Sequence, residues 1–249
     1  MLKWFFIVLG ALALFAGILV ASAPASLLET EVKKRVPGLE LYGVDGSVWE
    51  GTLSQLSHPR QNFGSLSWSL SPTALVAGAI QAELRLDDPL FTGSLELEHP
   101  FSSGGLSLSN VQGKQEMFAV REQLRGIGFY KPEGELLWQD VNLSLEGKRV
   151  TLASGLIEWQ NASFDFFGEL IELGEFDFTL EEDAGDLLIF IDNNGPLDIQ
   201  GEMRLMLDRN FILKLDLSDE MPEKLRQAVQ YMVRPGEPGR LTVSLNGRY

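Results

Sequence analysis

Residues 64–72 have the sequence GSLSWSLSP, in which Leu66, Trp68 and Leu70 alternate with serines. Successive side chains of a β-strand point to opposite faces, so this alternation predicts a strand with one apolar and one polar face. Gly64 precedes the predicted strand, and Pro72 ends it because proline cannot donate to a sheet ladder. The stretch therefore predicts a two-faced β-strand.

The same period of two recurs along most of the chain. Turn clusters such as 87–89, 103–105 and 192–196 separate the alternating stretches, and no long helical pattern intervenes. Short strands without intervening helices favour antiparallel β-structure over βαβ units. The alternating apolar positions are Leu95/Leu97, Leu106/Leu108, Val141/Leu143/Leu145, Phe176/Phe178/Leu180, Leu197/Ile199, Met203/Leu205/Leu207, Leu213/Leu215/Leu217 and Leu241/Val243/Leu245.

Two short helices are expected within this β-rich region. One covers residues 115–125, and the other runs from Pro222 to Val233, with proline in its first turn and Pro235 beyond its end. Glycine also precedes tryptophan by four residues at three places, which we interpret as a repeated strand start: Gly64/Trp68, Gly134/Trp138 and Gly155/Trp159.

The N-terminal region has the features of a membrane anchor. Trp4 to Ala23 is a run of 20 residues without a charge, and a helix of that length spans the hydrocarbon core of about 30 Å. A cleaved signal peptide is the alternative, since Ala21-Ser22-Ala23 resembles a cleavage site. The run exceeds an ordinary signal core and Pro24 follows it directly, so we expect an uncleaved anchor.

These patterns predict a mainly β protein with three segments. Residues 1–23 form a single transmembrane anchor with a short cytoplasmic tail, and residues 24–38 form a membrane-proximal helix or linker. Residues 39–249 form a β-rich domain, which we expect to be exported because a signal anchor with a short tail usually exports the bulk of the chain. We expect the N-terminal transmembrane helix to be followed by a large curled antiparallel β-sheet, as a groove, open barrel or sandwich, with one or two short helices.

Composition argues against several classes of function. The chain has 249 residues, with 35 Asp and Glu against 20 Lys and Arg, so its formal net charge is −15. Such a charge repels phosphate backbones and disfavours nucleic-acid binding. There is no cysteine, and the two histidines, His58 and His99, each precede a proline, which favours loops. We therefore predict no enzymatic activity, no catalytic residue, no metal and no cofactor.

The region from residue 164 to 191 carries more apolar residues than are needed for strands with a single apolar face. In a closed sandwich this surface forms the core, whereas in a curled open sheet it lines a concave face that holds an acyl chain or a partner's strand. Both alternatives remain open from the sequence. The residues of this predicted apolar groove are Phe164, Phe166, Phe176, Phe178, Leu188 and Phe190.

Two short motifs resemble a known family. Residues 46–51, GSVWEG, fit the pattern Gly-x-x-Trp-x-Gly, and residues 64–72 fit Gly-x-Leu-x-Trp-x-Leu-x-Pro. Protein N of the bacterial type II secretion system combines these motifs with one N-terminal inner-membrane helix and a β-rich remainder. The chain's final helix start at 222–226 and last strand at 239–247 are similar to that family too. We expect the motif residues to be structural: Gly46, Trp49, Gly51, Gly64, Trp68 and Pro72.

The resemblance implies a non-catalytic accessory or scaffold subunit in the bacterial inner membrane. Its periplasmic β domain would bind other secretion subunits, on the inner-membrane platform or the secretin side, and membrane lipids would surround its anchor. A more distant similarity, an anchor followed by tryptophan-marked strands, relates the chain to AsmA-like envelope proteins. That similarity implies the alternative function, a lipid-binding or lipid-transport module with lipid in an apolar β-groove.

Overall fold

The computed structural model describes residues 23–35, 37–58, 61–62, 64–88, 91–117, 131–166, 168–221 and 223–248. Within this part of the chain, no helix combines the length and the apolarity needed to cross a membrane. The predicted anchor, residues 4–23, lies outside the described residues except for Ala23, so it stays a prediction. The chain divides into two compact units, residues 1–88 and 89–249.

The described residues of the first unit form two antiparallel sheets and two helices. One sheet has the strand order β2-β3-β6-β7, and the other has the order β1-β4-β5. Pro72 occupies the first turn of α2, whose cap is the Ser71 hydroxyl accepting from the Ala74 N–H. The elements are α1 (Ser26–Arg35), β1 (Glu40–Tyr42), β2 (Asp45–Gly46), β3 (Glu50–Leu53), β4 (Gln55–His58), β5 (Gln61–Asn62), β6 (Ser65–Leu70), α2 (Pro72–Val76) and β7 (Ala79–Asp88).

The second unit is built on an antiparallel sheet whose strands mostly pair with their chain neighbours. The order is β16-β17-β15-β14-β13-β12-β11-β10-β9-β8. The elements are β8 (Phe91–Pro100), β9 (Leu106–Glu116), β10 (Pro132–Glu146), β11 (Arg149–Phe166), β12 (Glu169–Asp183), β13 (Asp186–Asn194), β14 (Gln200–Leu205), β15 (Asn210–Ser218), α3 (Glu223–Val229), β16 (Arg234–Pro235) and β17 (Arg240–Arg248).

The mainly β fold is confirmed, and several local predictions need correction. The predicted strand at Leu197 and Ile199 is wrong: both lie in the β13–β14 connection and are only 4% and 6% exposed. The alternation there reflects packing of a loop onto the core. The predicted helix at 115–125 is wrong at its start, because Gln115 pairs with Leu136 inside the sheet, and residues 118–125 lie outside the described part.

Other boundaries also differ from expectation. The predicted helix from Pro222 to Val233 is present over Glu223–Val229 and ends four residues early, and Pro222 lies outside the described residues. Asp87 and Asp88 belong to β7, and residues 192–194 belong to β13, so both strands run into the predicted turns. Gly134 and Gly155 lie inside β10 and β11 at register shifts instead of at strand starts.

Four neighbouring strands contain β-bulges at these register shifts. The bulged positions have left-handed backbone: Asn110 in β9 (φ 50°), Asp140 in β10 (φ 48°), Asn161 in β11 (φ 50°) and Gly174 in β12 (φ 89°). Asn, Asp and Gly are the residues that adopt this conformation most readily. A bulge bends its strand and increases the local twist, so this series of bulges curves the sheet.

The main core of the second unit lies on one face of this sheet. Phe176 of β12, Leu217 of β15 and Val243 of β17 pack in one cluster, although three strands separate β12 from β17 in the sheet order. At about 4.8 Å per strand step, a flat sheet would hold them too far apart for contact. The intervening space is filled by side chains from connecting segments, namely Leu197, Ile199 and Met221.

Substitution of Gly174 tests the importance of the bulges. A Cβ at Gly174 would lie 2.5 Å from the Asn194 carbonyl oxygen, whereas a Cβ at Gly168 would meet nothing within 4 Å. The φ angles are nearly equal, 89° and 87°, so Gly168→Ala is a matched control for backbone strain. We expect Gly174→Ala to lower the free energy of unfolding by about 1–3 kcal/mol more than the control, measured by urea titration. Equal losses in the two variants would contradict the role assigned to the bulge.

Candidate functional site

An apolar cavity lies in the first unit. Its volume is about 250 Å³. Of the described residues, twelve line it; eleven are apolar, and Glu29 of α1 is the exception. The lining residues are Ala25, Glu29, Leu39, Leu41, Val44, Leu53, Leu56, Leu66, Trp68, Leu70, Ala82 and Leu84.

Both sheets of the first unit and its first helix supply these side chains. Leu53 and Trp68 are 4% and 9% exposed and belong to the buried core of this unit. The alternation of β6 directs Leu66, Trp68 and Leu70 to the cavity side. The strand that the serine–leucine pattern predicts is therefore one wall of the cavity.

The Gly46–Gly51 motif forms the hairpin that supports Trp68. Gly46 pairs with Gly51, and the Ser47 N–H donates to the Glu50 carbonyl oxygen at 2.8 Å. The Trp68 indole N–H donates to the Val48 carbonyl oxygen at 3.2 Å. A Cβ at Gly51 would lie 2.4 Å from Cζ2 of Trp68, so glycine is needed where the indole crosses the hairpin.

The same hairpin binds the start of the described chain. The Val48 N–H donates to the Ala23 carbonyl oxygen at 2.8 Å, and the Ala25 N–H donates to the Gly46 carbonyl oxygen at 3.2 Å. Pro24 and Ser47 form an antiparallel bridge between these two bonds. The residues that follow the predicted anchor are thus held directly against the Gly-x-x-Trp-x-Gly motif.

The remaining motif residues have structural positions nearby. The Trp49 carbonyl oxygen accepts from the Leu70 N–H at 2.6 Å, which joins the hairpin to β6. Gly64 has a φ of 67°, and a Cβ there would lie 2.7 Å from the Asp87 carbonyl oxygen. Pro72 begins α2. Sequence reasoning did not predict a cavity between these elements, although Leu39, Leu41, Leu53 and Leu56 were visible as apolar residues around the first motif.

The structure separates the predicted groove residues of the second unit. Phe176 stacks on Trp159 with ring centroids 5.2 Å apart and on Phe178 with centroids 6.0 Å apart, and Phe164 packs in the same cluster. Ile191 pairs with Phe178, and Phe190 pairs with Thr179, so Leu188 and Phe190 lie on the opposite face of the sheet. The side chain of Phe166 lies outside the described part.

A row of carboxylates lies on the face of the sheet that carries Leu188 and Phe190. Asp177 of β12 pairs with Glu158 of β11 on one side and Asp192 of β13 on the other. Partial burial raises the pKa of Asp177, and the charges of Glu158 and Asp192 raise it further. Asp165 shows the opposite behaviour, because the Gly168 N–H, at 2.6 Å, and then Lys131 lower its pKa.

The acidic and histidine side chains of the described residues do not cluster as metal ligands. No group of three or more His, Asp or Glu side chains there is placed to hold a metal ion. His99 lies in β8 and not in a loop, with its Nδ1 2.6 Å from the Gly105 carbonyl oxygen. The side chain of His58 lies outside the described part.

An open strand edge ends the second unit. The Gly236 N–H donates to the Arg240 carbonyl oxygen at 3.1 Å, and Arg234 pairs with Thr242. Alternation of an antiparallel ladder then directs the backbone N–H and C=O groups of Ser244, Asn246 and Arg248 to the same edge. Among the described strands, none pairs with β17 on this side beyond Thr242.

Comparison with known proteins identifies the family. A family model described as Type II secretion system (T2SS), protein N matches residues 37–244, a range that includes both motifs and the first five residues of β17. The chain belongs to this family. The Type II secretion system protein N of Vibrio cholerae serotype O1 is 22% identical over 250 residues, which cover 94% of this chain and 96% of that protein.

The protein of the same name from Aeromonas hydrophila is also 22% identical, over 243 residues that cover 95% of each chain. No solved structure matches the chain significantly. Membership of the T2SS protein N family supports an accessory subunit of the secretion system, in the cell envelope, with other T2SS subunits as partners. The family match begins at Pro37, after α1.

The contact between Gly51 and Trp68 can be tested by a double-mutant cycle. Gly51→Ala places a methyl group against Cζ2 of Trp68 and the Asp45 carbonyl oxygen, so we expect a loss of about 1–3 kcal/mol in the free energy of unfolding. Trp68→Phe removes the ring that carries Cζ2, and in that background Gly51→Ala should cost less by about 1 kcal/mol. Additive losses would show that the two residues do not act together.

The acidic row gives a prediction with a defined sign. Because the pKa of Asp177 is raised by folding, its ionised form destabilises the protein as pH rises through that pKa. Cross-strand pairs of like charge cost about 0.2–1 kcal/mol each, so Asp177→Asn should raise the unfolding midpoint by about 1–4 °C near neutral pH. The difference should disappear in acid, where the carboxyl group is already protonated.

Asp165→Asn is the matched control of opposite sign. The lowered pKa of Asp165 means that its ionised form stabilises the fold above the unfolded-state pKa, and this contribution is lost as pH falls. We therefore expect Asp165→Asn to lower the unfolding midpoint near neutral pH, in parallel scans with Asp177→Asn. If both variants shift the midpoint in the same direction, the assignment of the two environments is wrong.

Proposed function

We propose that this chain is a non-catalytic scaffold subunit of the type II secretion system, held at the inner membrane by residues 4–23. Its β-rich region lies in the periplasm and binds other subunits of the apparatus. The observation that supports this proposal is the open edge of β17, where Ser244, Asn246 and Arg248 present backbone hydrogen-bonding groups. An edge of this kind accepts an additional strand from a partner.

Beyond Thr242, the edge of β17 lacks the protection that strand edges usually have. Native proteins protect edges with proline, lysine, bulges or covering segments. On β17, such cover is given by β16 with its Pro235, and it extends only to Leu241 and Thr242. The following residues, from Ser244 to Gly247, are exposed and uncharged. These properties favour a surface that a partner strand covers in the assembled apparatus.

The aromatic cluster offers less support for the alternative function, a lipid groove in the second unit. Phe176 is only 7% exposed, and it packs in one cluster with Leu197, Ile199 and Met221 of the same chain. A ligand there would have to displace well-packed side chains, which costs free energy. We therefore do not propose lipid at the Phe164–Phe178 cluster.

Asn246→Pro tests strand addition at β17. Proline removes the outward N–H of residue 246, and an edge strand tolerates proline at such a position. In a bacterium that carries only the variant gene, we expect at least a fivefold loss of secretion-system subunits that co-purify with the tagged chain. Secretion of exported enzymes into the medium should fall in parallel.

Asn246→Ala is the matched control, since it removes the same side chain but keeps the backbone N–H. It should behave as wild type in both measurements. Thermal unfolding of the purified variants should show midpoints within a few degrees of each other. A folded Asn246→Pro variant that still co-purifies with the secretion subunits would refute binding through this edge.

A further inference from the structure

The apolar cavity of the first unit is unused by the proposed assembly function. Its only charged lining residue, Glu29, already forms an ion pair with Lys33 at 2.8 Å. The one polar group of Trp68 is also satisfied, by the Val48 carbonyl oxygen. A polar ligand in this cavity would lose its hydrogen bonds to water without replacement, so the lining selects a hydrocarbon.

The size of the cavity fits part of a chain molecule. An apolar cavity of about 150 Å³ holds one benzene molecule, so a volume of about 250 Å³ accommodates a hydrocarbon segment of roughly ten carbon atoms. That is too small for a complete phospholipid or an amphipathic helix. It suits the terminal half of one acyl chain.

The position of the cavity along the chain indicates the source of the hydrocarbon. Ala25 lines the cavity and is 2% exposed, two residues after the predicted membrane segment ends at Ala23. Backbone bonds from Ala23 and Ala25 to the 46–48 hairpin leave no free linker between that segment and the cavity wall. If residues 4–23 span the membrane, the cavity therefore lies at the bilayer surface.

The charge of α1 suits such a location. The helix α1 carries three basic and two acidic side chains, and Lys34 and the Glu29-paired Lys33 are exposed on it. Basic residues next to a membrane segment are attracted to anionic headgroups. The helix thus places positive charge at headgroup level beside an opening lined with hydrocarbon.

We infer that the cavity of the first unit binds one acyl chain of a membrane lipid. The inference depends on the predicted membrane segment but not on strand addition at β17, so the two proposals can fail separately. Binding of the chain attaches the first unit to the bilayer at a second point, beside the anchor.

Photolabelling of the full chain in vesicles tests this site. The vesicles contain phosphatidylethanolamine and phosphatidylglycerol, with a small fraction of phosphatidylethanolamine that carries a diazirine in its acyl chain. After irradiation, peptide mass spectrometry should find label on cavity residues such as Leu41, Leu56 and Leu84. Label on residues 4–23 measures exposure to the bilayer in the same molecules.

A cavity-filling variant provides the comparison. Ala82 lines the cavity, so Ala82→Phe should reduce the label on cavity residues at least fivefold while label on residues 4–23 stays constant. Val76→Phe adds the same ring at a position that is 91% exposed and should leave the label unchanged. If Ala82→Phe does not fold, Val44→Phe fills the same cavity from another element.

The outcomes separate the candidate occupants. Labelling of the cavity by the diazirine phospholipid supports the inference. Labelling only by a diazirine fatty acid, in a parallel experiment, identifies a free fatty acid and overturns the assignment to a membrane lipid. Absence of label from the wild-type cavity, or equal label in Ala82→Phe and wild type, overturns the inference. It would indicate instead that a protein segment, of this chain or of a partner, fills the cavity.

Discussion

The second unit depends on keeping one face of a long, curved sheet apolar. A strand's side chains alternate strictly, so any bend that adds a residue to one strand moves all later residues to the other face. In β10 the apolar positions are Leu136 and Trp138 before the bulge at Asp140, and Val141 and Leu143 after it. The change from even to odd numbers compensates for the extra residue. The sheet can therefore curve and still keep a continuous apolar core, because the apolar residues move between even and odd sequence positions at each bulge.

These shifts at the bulges determine how far the fold could be predicted from the sequence, since alternation is unbroken only in strands without them. Alternation alone locates β6, β8, β15 and β17, because those strands keep one parity through their apolar positions. It also finds one half of β10, from Val141 to Leu145, and one half of β12, from Phe176 to Leu180, but it does not join Trp138 to Val141 in one strand. Asn110, Asp140 and Asn161 mark the bulges that join two alternating stretches into one strand, since each is a residue type that accepts positive φ. The loop residues Leu197 and Ile199 imitate a strand because packing onto the core, and not pairing, fixes their spacing.

The candidate site was predictable only in part, for a different reason. The motif residues Gly51 and Trp68 are recognisable because tight contact restricts them to one residue type. The cavity beside them is lined by residues far apart in sequence, such as Ala25, Leu56 and Ala82. No local sequence pattern predicts that these residues lie close together. The hairpin at 46–51 connects the two: it supports the indole that forms a cavity wall and also binds Ala23 and Ala25. One short motif thus couples residues 23–25 to the interior of the first unit.

The surfaces of the second unit differ in what they can contribute to assembly. One face of its sheet carries the row Glu158–Asp177–Asp192, in which partial burial and then the charges of Glu158 and Asp192 raise the pKa of Asp177. Stacking such a face on the same face of another copy would bring more like charges together and is unfavourable. The opposite face is filled around Phe176 by the chain's own Leu197, Ile199 and Met221. The β17 edge differs from both faces, because its backbone N–H and C=O groups can bind a partner strand. Binding there neither brings carboxylates together nor displaces packed side chains, so among the described surfaces of the second unit this edge favours contact with a partner.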